Sequence, residues 1–225
     1  PEAFMRGILQ VTSPVDVERT SRGIPCGSIS GLLAREQSNI VRRFYVTPPE
    51  VAEIADAESR YYTIMRFAVP RDVGWMVTAS PATPLKLART AATHAERLIR
   101  DVRDGTLTPP HGIPRALAAS LETHLKPAPQ TATRLEALHS QSHELLPRDY
   151  WRLAFLANWT GGTLALHLRD FPAFFGDAPV REIGLLATEG RVSIGLTRES
   201  PVGLMDVGAS FLEFHIPSAY TTVRT

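Results

Sequence analysis

Two turns in the sequence carry residue types whose spacing could support chemistry on a bound ligand. The first contains Gly161 and Gly162, with Trp159 before them and Thr163 after them. It follows an apolar run over residues 153–159, which is typical of a strand buried on both faces. Two successive glycines leave bare backbone against which a flat ligand can lie, and ligands of α/β sheets bind at the carboxyl ends of strands. The spacing by itself nevertheless favours a simple strand-to-helix turn.

The second turn follows another apolar run, over residues 180–187. Leu185 and Ala187 belong to the end of that run, and Thr188 and Glu189 come directly after it. A carboxylate at this place could bind a Mg²⁺ ion that bridges phosphates, and a threonine hydroxyl could reach an α-phosphate. A polar turn between two strands is an equally favoured interpretation of these residues. The common phosphate-loop patterns G-x-x-x-x-G-K-[ST] and G-x-G-x-x-G do not occur in the chain.

Other polar groupings favour ordinary structural roles. His139 and His143 are four residues apart on a predicted helix and could face one metal, but Ser140 stands where the zinc helix signature needs a glutamate. A solvated polar face is therefore the favoured interpretation. Cys26 has no base nearby in sequence that would activate it as a nucleophile.

Hydrophobic periodicity and capping signals predict the elements that must position the two turns. Thr47 is the predicted N-cap of a helix over 50–68, and Gly105 is the predicted end of a helix over 80–104. Gly176 closes a predicted helix over 163–175. Further helices are predicted over 114–125 and 131–145, and strands over 8–12, 74–78, 153–159, 180–187, 192–196 and 211–216. Helices interleaved with buried strands favour an α/β fold of layered sheets with flanking helices.

Composition excludes several classes of protein. The 225 residues are 44% hydrophobic and 21% charged, which is ordinary for a globular chain and argues against disorder. Lys and Arg number 24 and Asp and Glu 23, so a net charge of +1 gives no general attraction to nucleic acid or an anionic membrane. A single cysteine excludes an internal disulfide, and no apolar run is long enough to span a membrane. With no signal-peptide pattern at the first residues, we expect a cytoplasmic protein.

The two turns, in this order and at this separation, resemble the acyl-acid amido synthetases of the auxin-responsive promoter family, in the style of its bacterial members. Residues 12–28 resemble the Gly/Pro loop of that family, and residues 98–107 are similar to its D-I-x-x-G-T-L helix end. Residues 186–190 take the place of its Ser-Ser-Glu or Ser-Glu-Gly motif. Residues 205–214 follow its M-P-x-x-x-Y-F-E-F strand, so the resemblance covers nearly the whole chain.

The resemblance implies an enzyme that uses ATP and Mg²⁺ to activate a small carboxylic acid as an acyl-adenylate and then joins the acyl group to an amine or amino acid. It places Gly161 and Gly162 against the adenine, with Leu185 and Ala187 in the same nucleotide site. Leu185 stands where the plant members have a tyrosine, so packing on the adenine or ribose can differ here. The catalytic pair is Thr188, at the phosphate or adenylate, and Glu189, which would bind Mg²⁺. Trp159 and Thr163 are assigned to the acyl substrate.

Two family features are missing from the chain. The Ser/Thr/Gly-rich phosphate loop should precede residue 1, and an Arg-x-Gly-Asp segment and a small C-terminal lid domain should follow residue 225. We therefore expect residues 1–225 to be an incomplete large adenylation domain that is inactive alone, because nothing in it would hold the triphosphate in line. A ligase that forms acyl-CoA thioesters and a non-catalytic small-molecule-binding protein of the same fold remain alternatives.

Overall fold

The computed structural model describes residues 2–14, 17–187, 190–196, 200–208, 211 and 213. The strands in these ranges are β1 (Gly7–Gln10), β2 (Glu18–Arg19), β3 (Pro25–Cys26), β4 (Val73–Val77), β5 (Phe155–Asn158), β6 (Val180–Glu182), β7 (Leu186–Ala187), β8 (Gly190–Arg191), β9 (Ser193–Gly195) and β10 (Gly203–Met205). Four of them form a parallel sheet in the order β1-β4-β5-β6. The remaining strands pair antiparallel, as β2 with β3, β7 with β8, and β9 with β10.

Helices flank this parallel sheet, and the α/β class predicted from the sequence is confirmed. The α-helices in the described ranges are α1 (Ile29–Glu36), α2 (Asn39–Arg42), α3 (Ala57–Ala68), α4 (Ala82–Thr93), α5 (Ala95–Asp104), α6 (Arg115–Glu122), α7 (Pro129–Ser142), α8 (Pro147–Tyr150), α9 (Ala165–Leu168) and α10 (Phe171–Phe175). Short 3₁₀-helices cover Glu2–Met5, Pro49–Glu53 and Gly162–Leu164. Among the helices described, none has the length and apolar character needed to cross a membrane.

The central strands are buried because helices cover them. Leu9, Met76 and Leu156, on three adjacent strands, are at most 1% exposed. Register pairs Leu9 with Met76 and Met76 with Leu156, so these side chains form one row across the sheet. Burial of successive residues in β5 confirms the sequence-based prediction of a strand covered on both faces.

The predicted helix over 50–68 is wrong at its start. Pro49–Glu53 forms a 3₁₀-helix, and Ile54 then adopts an extended conformation. The α-helix begins at Ala57, because the Asp56 side chain accepts a hydrogen bond of 2.7 Å from the backbone N–H of Ser59 and caps α3. Asp56, rather than Thr47, is therefore the N-cap.

Two other predicted helices divide in the structure. The helix over 80–104 separates into α4 and α5 at His94, although backbone hydrogen bonds continue on both sides of that residue. Gly105 ends α5 with φ +74°, as predicted. The helix over 163–175 breaks before Pro172, which lacks the N–H that would continue α9. Gly176 closes α10, as predicted.

The predicted strand over 180–187 also divides, into β6 and β7. The backbone turns at Gly184, which has φ +77°, so β7 leaves the parallel sheet and pairs with β8. The predicted strand over 192–196 corresponds to β9. Of the predicted strand over 211–216, residues 212 and 214–216 lie outside the described residues.

Candidate functional site

Three turns meet at one edge of the parallel sheet, because the carboxyl ends of β4, β5 and β6 lie side by side. Each turn is hydrogen-bonded to its neighbour. The backbone N–H of Trp159, after β5, donates to the carbonyl of Ala79, after β4, at 3.1 Å. The backbone N–H of Ile183, after β6, donates to the carbonyl of Asn158 at 3.3 Å. Both turns singled out from the sequence therefore begin at the same edge.

Glu182 ties the turn after β5 to the turn after β6. Its carboxylate is 9% exposed and accepts hydrogen bonds at Oε2 from the backbone N–H and the hydroxyl of Thr160, at 2.7 and 2.6 Å. Its Oε1 accepts from the backbone N–H of Gly184 at 3.0 Å. Bonds to an ionised acceptor are the strong kind, and they compensate the burial of this charge.

Trp159 forms a second bridge between the same two turns. Its indole Nε1–H donates to the carbonyl of Gly184 at 2.8 Å, and the side chain is half-buried. Because the single polar atom of the indole is satisfied in this way, the ring offers an apolar surface. This geometry is compatible with the predicted role of Trp159 in substrate binding, which stays a prediction.

The Gly161-Gly162 turn has an open side. Gly162 has φ +59°, and a Cβ atom built on it would meet no atom of the described residues within 4 Å. A Cβ on Gly161 would approach Cβ of Pro201 at 3.2 Å, so the segment around Pro201 lines the other side. Thr163 is exposed in the 3₁₀-helix Gly162–Leu164. The turn thus presents bare backbone to open space, which is the shape that a flat ring requires.

The residues predicted from the second turn fall into two groups. Leu185 is 57% exposed, and its backbone N–H donates to the hydroxyl of Ser193 at 2.9 Å. Ala187 pairs with Gly190 in the β7–β8 hairpin. Thr188 and Glu189, to which the resemblance assigns catalysis and Mg²⁺, lie outside the described residues.

The backbone of β9 packs closely against the end of β6 at two positions. A Cβ atom on Gly184 would lie 2.2 Å from the carbonyl oxygen of Ser193. A Cβ on Gly195 would lie 2.3 Å from the carbonyl oxygen of Glu182. No larger residue fits at either position without a backbone shift, so the turn after β6 is packed on this side.

Sequence reasoning missed Glu182, Gly184 and Asn158. Asn158 is fully buried and donates from Nδ2 to the carbonyl of Thr78 at 3.1 Å. Within the described ranges, its Oδ1 has no hydrogen-bond partner. The only available signal was polarity, since Glu182 and Asn158 interrupt apolar runs; their partners could not be inferred because they come from other strands.

The other polar residues considered from the sequence lie outside the two turns, with His139 in α7, His143 at its end and Cys26 in β3. The part of the chain that the structure describes contains no group of three or more His, Cys, Asp or Glu side chains that could hold a metal ion. His143 ends α7 in a left-handed conformation with φ +58°. Cys26 is an exposed residue of β3. His143 is exposed, as a solvated polar face requires, whereas Nδ1 of His139 is buried and has no hydrogen-bond partner among the described residues.

A cleft of about 630 Å³ lies elsewhere, beside the edge strand β1. Among its lining residues are Arg66, Arg71, Lys126, Glu50 and Gln37. Among the described residues, none from the turns after β5 and β6 lines it. The cleft is therefore separate from the site formed by those two turns.

The family model described as "GH3 family N-terminal domain" matches residues 4–180. The match includes the Gly161-Gly162 turn and stops before Glu182 and the turn that follows it. A comparison with curated protein sequences gives no significant match.

Solved structures of similar fold include two of acyl acid amido synthetases. One, "GH3.15 acyl acid amido synthetase", has a TM-score of 0.67 and 16% sequence identity, and the match covers 85% of this chain and 35% of that chain. Another, "AtGH3.15 acyl acid amido synthetase in complex with 2,4-DB", has a TM-score of 0.71 and 17% identity, with coverage of 85% and 34%. At these identities the likeness concerns the fold, and the chain spans about a third of the length of those structures.

Proposed function

The chain belongs to the GH3 family, and on that premise we propose that it is part of an ATP-dependent enzyme that activates a carboxylic acid and joins it to an amine or amino acid. The observation that carries this proposal is the open Gly161-Gly162 turn at the carboxyl edge of a parallel sheet. The name of one similar structure adds support, since that acyl acid amido synthetase was solved with 2,4-DB.

The described residues fit a nucleotide at this turn. An adenine ring would lie against the backbone of Gly161 and Gly162, where no side chain of the described residues occupies the space beside Gly162. Leu185 and Ala187 would border the same ring from the turn after β6. Trp159 and Thr163 would contact the acyl group, the former through its apolar ring face. These assignments are proposals for ligand contacts, and they place adenine and acyl groups on the same two turns.

In the proposed reaction the carboxylate of the acid attacks the α-phosphorus of ATP, and pyrophosphate leaves. The amine then attacks the acyl carbon, AMP leaves, and the amine loses a proton. Thr188 would hold a phosphate oxygen through its hydroxyl, and Glu189 would hold Mg²⁺ through its carboxylate. Bound Mg²⁺ would offset the negative charge on the phosphates. The protein's contribution is mainly positioning, since the reacting groups are supplied by the substrates.

Glu189→Gln in the intact protein tests this proposal. A neutral amide is a poorer Mg²⁺ ligand than a carboxylate, so we expect ATP–pyrophosphate exchange with a carboxylic acid to fall by about a hundredfold or more, in line with the loss of a charged transition-state contact. 2,4-DB is a suitable first acid. The melting temperature should change little.

Glu122→Gln, on the exposed face of α6, is the matched control and should leave exchange unchanged. If Glu189→Gln retains full exchange, Glu189 is not the metal ligand. If exchange occurs but the acyl group passes to coenzyme A and to no amine, the acyl-CoA ligase replaces the proposal, and if the wild-type protein binds acids without any exchange, the binding protein replaces it.

A further inference from the structure

We propose that Glu182 is a positioning residue, whose carboxylate sets the distance between the Gly161-Gly162 turn and the turn at Gly184 and Leu185 that follows β6. The inference rests on the proposed function, because it assigns to Glu182 a role in ATP binding. Glu182 itself would touch neither ATP nor the acid. Its effect would act through the two turns that it joins.

The hydrogen bonds of Glu182 divide between the two turns. Oε2 accepts two bonds from Thr160, the residue directly before Gly161, and Oε1 accepts one from Gly184, the residue directly before Leu185. One buried side chain therefore holds both segments that are proposed to contact the nucleotide. A ligand that touches both segments requires a set separation between them, and displacement by about 1 Å can cost about a hundredfold in rate.

The two turns are not held equally from other directions. Gly184 is pressed against Ser193 of β9, so the turn after β6 is packed from behind. The turn after β5 has open space beside Gly162 and is anchored beyond its strand end through Thr160 and the indole of Trp159. The Glu182 carboxylate therefore holds the turn after β5, which is the more open of the two.

A carboxylate suits this position because all three of its partners are donors. An ionised glutamate has two acceptor oxygens, whereas glutamine has one oxygen and an NH₂ group that only donates. In either orientation, the NH₂ group of a glutamine at position 182 would face the backbone N–H of Thr160 or that of Gly184. One of the two turns would lose its anchor and would move relative to the other.

The test is a set of variants of the intact protein, assayed by ATP–pyrophosphate exchange with 2,4-DB as the acid. For Glu182→Gln we expect the KM for ATP to rise about tenfold or more, where tenfold corresponds to about 1.4 kcal/mol. Thr160→Ser keeps both donors and should have the wild-type KM. Thr160→Val keeps the N–H but loses the hydroxyl, and its KM should be intermediate.

Asp101→Asn is the structural control, since Asp101 is also a buried carboxylate that accepts several hydrogen bonds, and it lies in the helix core. It should lower the melting temperature and leave the KM for ATP unchanged. Hydrogen exchange adds a readout that needs no turnover: the amide of Thr160 or that of Gly184 should lose protection in Glu182→Gln, and both should keep it in Asp101→Asn.

Each outcome decides between distinct conclusions. A raised KM with the predicted order of the Thr160 variants supports the positioning role. A wild-type KM in Glu182→Gln, in a protein whose wild type is active, overturns this inference and leaves the proposed function standing. If the KM for ATP rises equally in Asp101→Asn, the effect comes from general destabilisation, and this outcome also overturns the inference. If the wild type neither binds ATP nor catalyses exchange, the proposed function fails, and with it any role for Glu182 in ATP binding.

Discussion

The buried carboxylate of Asp101 joins α5 to α3 and to the segment that follows α5. It is fully buried and accepts hydrogen bonds from the Tyr62 hydroxyl and the Thr106 hydroxyl, both at 2.7 Å, and from the backbone N–H of Thr108, also at 2.7 Å. The Arg66 guanidinium, 2% exposed, donates to the backbone carbonyls of Asp101 and Thr106 at 2.7 and 2.9 Å. Burial, followed by its hydrogen bond to Asp101, raises the pKa of Tyr62, which therefore stays a hydroxyl donor.

We predict that Asp101→Asn destabilises the protein by about 3 kcal/mol, the scale expected when bonds to a buried charge are lost and an amide NH₂ faces other donors. Urea unfolding would measure the change. Asp104→Asn is the matched control, because Asp104 is exposed near the end of the same helix and should change the free energy of unfolding by less than about 0.5 kcal/mol. Equal effects of the two substitutions would contradict a structural role for the Asp101 hydrogen bonds.

At the scale of elements, a Glu–His cluster joins α3 to two other segments. The Glu58 carboxylate, in the first turn of α3, contacts Nε2 of His94 at the α4–α5 junction and Nε2 of His111 in the loop before α6, each at 3.0 Å. The hydrogen bonds from His111 and His94 lower the pKa of Glu58. The hydrogen bond to Glu58, and then the charge of Asp56, raise the pKa of His111.

The direction of these shifts predicts a pH window for the contribution of the cluster. The His111 contribution is complete below the ordinary histidine pKa of about 6.5 and is lost as pH rises through the raised value. The Glu58 contribution is complete above the ordinary glutamate pKa of about 4.3 and is lost as pH falls through the lowered value. The difference in melting temperature between wild type and Glu58→Gln should therefore be largest between about pH 4.5 and 6.5.

Melting curves from pH 3 to pH 9 would test this window. The difference should shrink toward both ends of the range. His111→Gln is the matched variant: it should reduce the loss on the alkaline side, because it removes the contact of Glu58 with His111 and keeps the one with His94. A difference between wild type and Glu58→Gln that does not vary with pH would contradict the ion-pair interpretation of the cluster.

At the scale of the whole molecule, two kinds of protein remain to be distinguished: an enzyme that activates a carboxylic acid with ATP, and a protein that only binds the acid. The described chain spans about a third of the length of the acyl acid amido synthetase structures that it resembles. The sheet edge with the Gly161-Gly162 turn would be common to an enzyme and to a binding protein. Dependence on ATP distinguishes the two. An acid that binds only together with ATP raises the stability of the protein only when ATP is present, whereas an acid that binds by itself raises it in either case.

We predict that 2,4-DB raises the melting temperature of the intact protein more with ATP and Mg²⁺ than without them. Saturation to a hundred times the dissociation constant adds about 2.7 kcal/mol of stability, an effect that thermal melting resolves. In the control additions, AMP without pyrophosphate, or Mg²⁺ alone, replaces ATP and Mg²⁺. An equal shift with and without the nucleotide would support the non-catalytic binding protein instead.

Local signals in the sequence determined much of this protein. Gly105 and Gly176 mark helix ends because a left-handed or otherwise positive φ suits glycine, and the apolar run before Gly161 predicts the buried strand β5. The exact start and interruption of helices were harder to predict. Asp56 caps α3, which therefore begins later than predicted, and Pro172 separates α9 from α10. The fold class and the open glycine turn therefore followed from patterns within short windows.

Tertiary structure alone decided what joins the two turns of the candidate site. The sequence shows a glutamate inside an apolar run, but the partners of Glu182 include Thr160, which is 22 residues away and lies beyond the neighbouring strand. Strand order is likewise non-local, since β1 pairs with β4 across more than sixty residues. Such pairings depend on how layers pack over the whole chain, and hydrophobic periodicity along one segment contains no record of which segment will lie beside it.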